Sequence, residues 1–154
     1  MRYLEGKEKE EAEMYLRIAA EVAKESTCRK SKRGVIIVKD GNIIGRGNNN
    51  TTIEELCEPP CALERPERNK DLCPAFHAEE DAIRDAGKYD LKGSRMYHIK
   101  VKNGTMEPSG KPSCTRCSTF VLRSGISEFV LLHEKGPAIY DTKEFNILSF
   151  EYHK

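Results

Sequence analysis

Between residues 9 and 24, Met14, Leu16, Ile18, Ala19, Val22 and Ala23 recur at helical spacing among charged residues. The pattern predicts an amphipathic helix packed on a sheet. Two short β-branched runs follow at 35–38 and 43–44, separated by Asp40-Gly41. That dipeptide between apolar runs is a strong hairpin signal. Residues 48–74 show no period, and so long a loop in a compact domain is usually functional or locally stapled. "AFHAEEDAIRDAG" predicts a helix ending at Gly87, "RMYHIKV" a strand, and Asn103-Gly104 a tight turn that begins a second irregular stretch. Residues 114–123 predict another helix, closed near Gly125, and "SEFVLLH" a further strand. The tail, through "YDTKEFNILSFEY", predicts a final helix with Asp141 or Thr142 as its N-cap.

Strands alternating with helices in the second half imply parallel pairing there, whereas the opening hairpin is antiparallel. The expected class is α/β: one domain over 1–154, with a mixed sheet of about five strands and helices on both faces. Residues 48–74 form a cysteine-containing insert and 134–154 a helical tail.

Composition narrows the partners. The 26 basic and 25 acidic residues leave a formal charge of +1, which gives no field of one sign to attract nucleic acid or an acidic membrane. The N-terminal stretch has no apolar run behind a basic start, so no signal peptide is expected. No apolar segment approaches the ~18 residues of a membrane helix. A cytoplasmic protein is expected, in which the six cysteines stay reduced and read better as metal ligands than as disulfides.

The chemistry concentrates at two helix starts. His77-Ala78-Glu79 opens one predicted helix and Cys114-x-x-Cys117 the other. Cysteines at i and i+3 share one helical face, and the helix N-terminus favours thiolate over thiol. One imidazole and two thiolates suit tetrahedral zinc, and three protein ligands leave a position for water. Such water has its pKa lowered toward ~7, and Glu79 stands close enough to take its proton without binding the metal. Taken alone, Cys114-x-x-Cys117 would equally suit redox chemistry or a structural zinc.

"HAEEDAI" followed by "PSCTRC" resembles the zinc-dependent cytidine and deoxycytidylate deaminase superfamily. The resemblance runs roughly from Cys28 to Leu132. "CRKSKRGVIIVKDGNIIGRGNNN" is similar to the family's opening segment, and the cysteine-containing insert looks most like the deoxycytidylate deaminase branch. It implies a three-layer α/β/α fold of the cytidine deaminase type, with a catalytic zinc held by His77, Cys114 and Cys117 and Glu79 as proton shuttle. It implies hydrolytic deamination of a cytosine nucleotide, most simply deoxycytidylate to deoxyuridylate, by a homo-oligomer. Asn48 or Asn49 would contact sugar or base, since the run of three asparagines leaves the register open. One of Arg29, Lys32 and Arg33 would contact a 5′-phosphate. Two features depart from the family pattern: Ser113 separates Pro112 from Cys114, and "KVKNGTMEPSGK" lengthens the path from strand to motif.

Other residues carry alternatives. Cys57 and Cys61 form half of a second, structural zinc site, completed by Cys28, Cys73 or a histidine, or these cysteines remain shielded thiols. Arg65, Arg68 and Lys70 are solvated charges or include a phosphate contact, and Lys111 is a further candidate for that contact. His98 faces a helix or solvent, and His133 and His153 have no assigned role. Tyr140, Phe145 and Phe150 pack the last helix, or one of them closes over the base. The substrate could instead be another nucleoside, a free base, another aminated heterocycle or a nucleic-acid base. The chain could also be a zinc-stabilised interaction module without catalysis, against which the unligated Glu79 speaks.

Overall fold

Strand β2 (Lys32–Lys39) is buried at five successive positions, Gly34 to Val38. A strand with both faces covered reads as a continuous apolar run, and β2 lies inside the sheet with helices above and below. The computed structural model describes residues 1–57, 61, 64, 73–110 and 114–154. Along the chain run β1 (Arg2–Tyr3), α1 (Gly6–Lys24), β2, β3 (Asn42–Asn48), β4 (Asn50–Thr51), a 3-10 turn (Glu54–Leu56) and β5 (Ala75–Phe76). There follow α2 (Ala78–Ala86), β6 (Arg95–Lys102), β7 (Thr105–Glu107), α3 (Thr115–Arg123), β8 (Glu128–His133), β9 (Gly136–Asp141) and α4 (Thr142–Glu151).

The main sheet has the order β1-β9-β8-β6-β2-β3, with β7 added to the end of β6; β4 and β5 pair separately. Only β6 and β8 run parallel, through the α3 crossover, and the other pairs are antiparallel. Helix α1 buries Ala12, Leu16, Ala19 and Ala23 with Ile36, Tyr97, Ile99 and Val130 on one face. Helices α2, α3 and α4 cover the other face over Val35, Ile37, Met96, Phe129 and Leu131. The expected mixed sheet between two helical layers is therefore present. Among the described residues, no helix is long and apolar enough to cross a membrane.

Three expectations are refined. Asp40 and Gly41 both have positive φ, 50° and 76°, as the two-residue hairpin turn requires. Asn103 and Gly104 do the same at 52° and 75°, so this turn closes a β6–β7 hairpin before the irregular stretch. The tail is not helical throughout: residues 136–141 form β9, paired with β8 from Glu128↔Asp141 to His133↔Gly136. Glu134-Lys135 is a turn too short and too ordinary in composition to announce itself, and β9 buries Ala138, Ile139 and Tyr140. Helix α4 begins only at Thr142, with Asp141 Oδ1 accepting from the Lys143 and Glu144 amides. The sheet exceeds five strands because β1 and β7, of two and three residues, are too short to show a period.

Helix α2 is clamped against the edge strand β3, and this clamp sets the height of its N-terminus. Asp81 Oδ2 accepts from the Asn48 amide at 3.0 Å, and Asp85 Oδ2 from the Arg46 amide at 2.9 Å. Two carboxylates one helical turn apart thus satisfy edge donors that would otherwise seek another chain. Gly47 lets the backbones meet: a Cβ there would stand 2.5 Å from the Ala78 carbonyl oxygen and closer still to the Ala82 nitrogen. Gly47→Ala is expected to cost on the order of 1–3 kcal/mol by forcing α2 off the strand. Chemical denaturation measures this, and an unchanged midpoint would contradict the close packing.

Candidate active site

The N-termini of α2 and α3 lie together on the sheet face opposite α1. His77 is the residue before α2, in extended conformation (φ −71°, ψ 148°), so its side chain leaves the helix end instead of a helical face. Cys114 caps α3 and its Sγ accepts from the Cys117 amide at 3.3 Å. Sulfur thus replaces the usual hydroxyl or carboxylate cap, and the cap itself favours thiolate. Helix α3 is in turn held by α4: Ser118 Oγ and Ser149 Oγ, both buried, lie 2.7 Å apart, and Asn146 Nδ2 donates to Ser118 and Thr119.

Among the described residues, one group could hold a metal: the donor atoms of His77, Cys114 and Cys117 all lie within 4.8 Å of one another. His77 Nδ1 stands 3.7 Å from Cys114 Sγ and 2.9 Å from Cys117 Sγ. In a tetrahedron with Zn–S of ~2.3 Å and Zn–N of ~2.1 Å, neighbouring donors are about 3.6–3.8 Å apart. One observed edge already has that length, and the other needs to open by less than about 1 Å. The donor set fits zinc.

Hydrogen bonds among these three groups shift their proton affinities. The Cys114 thiol is lowered to about 4, first by the hydrogen bond from Cys117, then by those from His77 and the Cys117 amide, against burial. Cys117 is raised by the same shared hydrogen, by burial and by the Glu79 charge. His77 is raised, chiefly by its bond to Cys114, while burial opposes. A dication takes the place of the protons in those bonds, so metal binding here releases them.

Glu79, in the first turn of α2, has a side chain only 12% exposed. Its carboxylate acts on the Cys117 thiol, helping to raise it, and is not among the three clustered donors. Its Oε1 also lies 3.9 Å from Nε2 of His98, a buried histidine on β6. Glu80 meets Arg116 at 3.4 Å across the two helix starts.

The remaining candidates separate. Arg33 and Val35 alternate on β2 and so share a sheet face. Val35 belongs to the core beneath α2 and α3, and the Arg33 charge acts on His98. Arg29 lies apart, around a small hollow with Thr27, Thr51, Glu54 and Cys57. Lys32 Nζ donates to the Lys24 carbonyl at the end of α1. Asn48 Nδ2 donates to the Val22 carbonyl. Asn49 Oδ1 accepts from the Arg33 amide and from Ser26 Oγ, while its Nδ2 donates to the Ser31 carbonyl. Both asparagines thus have fold-holding bonds. Arg65, Arg68, Lys70, Lys111, Pro112 and Ser113 lie outside the described residues. Cys28, Cys57, Cys61 and Cys73 are half-buried. The Cys57 thiol is pushed up by burial and then by the charges of the other three, with Arg29 opposing.

Tyr140 and Phe145 enter the core, Phe145 stacked on Phe129 at 4.3 Å. Phe150 does not: it is 53% exposed, in the last turn of α4. His133 is taken up by Tyr140 at 2.6 Å. Sequence reasoning missed the Asp81–Asp85 clamp, whose signal is their four-residue spacing on α2. It also missed the burial of His98, a lone polar residue within the buried run 96–99 of β6.

Residues 9–133 match the model of the cytidine and deoxycytidylate deaminase zinc-binding region. A deoxycytidylate deaminase of Mycobacterium phage D29 is 30% identical over 127 residues, 77% of this chain and 91% of that protein. The deoxycytidylate deaminase of Saccharomyces cerevisiae is 30% identical over 142 residues, 84% of this chain; the chain spans only 42% of the yeast protein's length. A dCMP deaminase from cyanophage S-TIM5, solved in complex with dCMP and dUMP, superposes with a TM-score of 0.54 at 23% identity, covering 77% of each chain. That likeness speaks for the fold.

Proposed function

The chain belongs to the cytidine and deoxycytidylate deaminase zinc-binding family, and on that premise we propose that it is a zinc-dependent hydrolase converting deoxycytidylate to deoxyuridylate and ammonia. The observation that carries the reading is the cluster of His77, Cys114 and Cys117 with the Glu79 carboxylate against it. The three clustered residues would hold the zinc, which would supply a Lewis acid that lowers the pKa of water toward ~7. Glu79 accepts a proton from the attacking water as the C4–O bond forms, and delivers that proton to N3 of the ring. It then takes the remaining proton from the C4 hydroxyl and carries it to the exocyclic amine, the C4–N bond breaks as the C4 carbonyl forms, and ammonia leaves a uracil ring. Placement in the first turn of α2 sets the carboxylate beside the cluster, and near-burial keeps bulk water from competing for the proton.

The choice of deoxycytidylate is supported by relatives that bear that name, one of them covered over 91% of its length. Arg33, on the site face of β2, is the described residue best placed to meet a 5′-phosphate; Arg29, Arg65 and Lys111 are the other candidates. Asn49 serves this site by holding the Arg33 backbone. The test is ammonia release from the zinc-loaded chain on deoxycytidylate, cytidine, cytosine, guanine and single-stranded oligonucleotides. Deoxycytidylate should be turned over best, and Arg33→Ala should raise its KM more than that of cytidine. Turnover of oligonucleotides alone, or of a free base in preference, would contradict the substrate.

Two further parts of the reading concern the whole protein. The sulfurs of Cys28, Cys57, Cys61 and Cys73 are not gathered as the three active-site donors are, yet the other three act on Cys57, and this supports their closing together on a structural zinc. Zinc analysis should give about two ions per chain, falling to about one in Cys57→Ser; one ion in both would contradict the second site. The protein is a cytoplasmic homo-oligomer, supported by exposed Phe120, Ile147 and Phe150 on the packed helices α3 and α4. Light scattering on the purified chain should return a multiple of 17.5 kDa, and a monomer at micromolar concentration would contradict it.

A further inference from the structure

His98 occupies a position that the fold would fill with an apolar side chain. It lies on β6 between Val35 of β2 and Leu131 of β8, on the face covered by α2 and α3. It is 5% exposed, with the Phe129 ring 6.2 Å away. A buried imidazole there is costly unless both nitrogens have polar neighbours, and both do. Nδ1 lies 3.3 Å from Ser109 Oγ, and Nε2 lies 3.9 Å from Glu79 Oε1. Ser109 is itself buried, and its amide donates to the Leu132 carbonyl at 2.8 Å, which fixes the serine beneath the ring. It belongs to "KVKNGTMEPSGK", the segment by which this chain departs from its family's pattern. The β6–β7 hairpin within that segment sends the chain back toward the sheet, which is how Ser109 reaches His98.

We propose that His98, oriented by Ser109, is a positioning residue that aims the Glu79 carboxylate through a neutral imidazole with its proton on Nε2. The proposal rests on the reading of Glu79 as proton carrier. With the Ser109 hydroxyl donating to Nδ1, the remaining ring hydrogen must sit on Nε2, facing Glu79. The opposite tautomer would set a lone pair against a carboxylate in a buried site. Burial keeps the ring neutral, holding it down to about 4, with the Arg33 charge also lowering it and the Glu79 charge opposing. A neutral N–H donor orients a carboxylate without setting a cation beside it. The 3.9 Å separation is beyond a hydrogen bond, and catalytic contacts of this kind tighten in the loaded site.

The test uses the zinc-loaded full chain and the variants His98→Phe, Ser109→Ala, the double variant and Glu79→Gln, with zinc per chain, kcat and KM measured for each. His98→Phe should lower kcat by about 10–100-fold, with zinc content unchanged and KM within about threefold. Ser109→Ala should lower kcat less, and the double variant should be no slower than His98→Phe. Imidazole ¹⁵N NMR gives a readout independent of turnover: the wild-type His98 should show a protonated Nε2 and a bare Nδ1, and Ser109→Ala should mix the tautomers. This signal and the serine variant carry the test if His98→Phe does not fold. Loss of turnover in Glu79→Gln with kcat unchanged in the foldable His98 and Ser109 variants overturns the His98 proposal alone. So does a wild-type ring protonated on Nδ1. Turnover surviving in Glu79→Gln overturns the reading of Glu79, and the positioning role with it.

Discussion

Glu79→Gln is expected to keep its zinc and lose about 10³-fold or more in kcat. The amide has nearly the shape of the carboxylate, so the first turn of α2 and the packing around a side chain 12% exposed should be undisturbed. The three metal donors are other residues, so zinc per chain should equal that of the wild type. Only the ability to accept and return a proton is removed. General acid–base groups contribute about 10²–10⁴-fold, and here one group serves every proton transfer, which puts the effect at the upper end. The measurement is kcat with zinc content on the same preparation. A variant that keeps its metal and stays within tenfold of wild-type turnover would contradict the assignment.

Cys117→Ser should act by the opposite route, through the metal. Cys117 is buried and sits one turn into α3, where its sulfur meets His77 and feels the Glu79 charge. A serine hydroxyl there is too weak an acid to serve as an anionic ligand at neutral pH, and it leaves a two-donor site. Zinc at the active site should be lost and turnover with it. Stability gives an independent reading. Zinc at about 1,000 times its dissociation constant stabilises the fold by about 4 kcal/mol, which for a domain of this size raises Tm by roughly 8–16 °C. The wild type should show such a shift between chelator and zinc. Cys117→Ser should lack the part due to this site, and an equal shift in both would contradict ligation by Cys117.

Much of this was legible in the chain because the relevant signals are local. The α1 period, the Asp40-Gly41 and Asn103-Gly104 turns, and the helices ending near Gly87 and Gly125 need only short-range chemistry. His77, Glu79, Cys114 and Cys117 were legible because i, i+2 and i, i+3 spacings at helix starts bring side chains together wherever the helices go. Other features depend on long-range placement. Strand β9 becomes a strand by pairing with β8, since nothing in 136–141 alternates clearly. Phe150 reads as core by type, yet it falls where α4 has passed the last element it could cover. Asp81 and Asp85 read as surface charges until β3 is seen to present its free amides to them. His98 and Ser109 are eleven residues apart across a hairpin, and their meeting beside Glu79 requires three strands and two helices at once.

The central claim is that His77, Cys114, Cys117 and Glu79 make this chain a zinc-dependent hydrolytic deaminase. The most direct measurement is turnover of deoxycytidylate in ¹⁸O-labelled water by the chelator-treated chain before and after zinc is returned. One ammonia per deoxyuridylate, with the label at the ring carbon that lost its amine and only after zinc is restored, is the predicted result. Zinc-restored, folded protein that releases no ammonia from deoxycytidylate or any other aminated pyrimidine would contradict it.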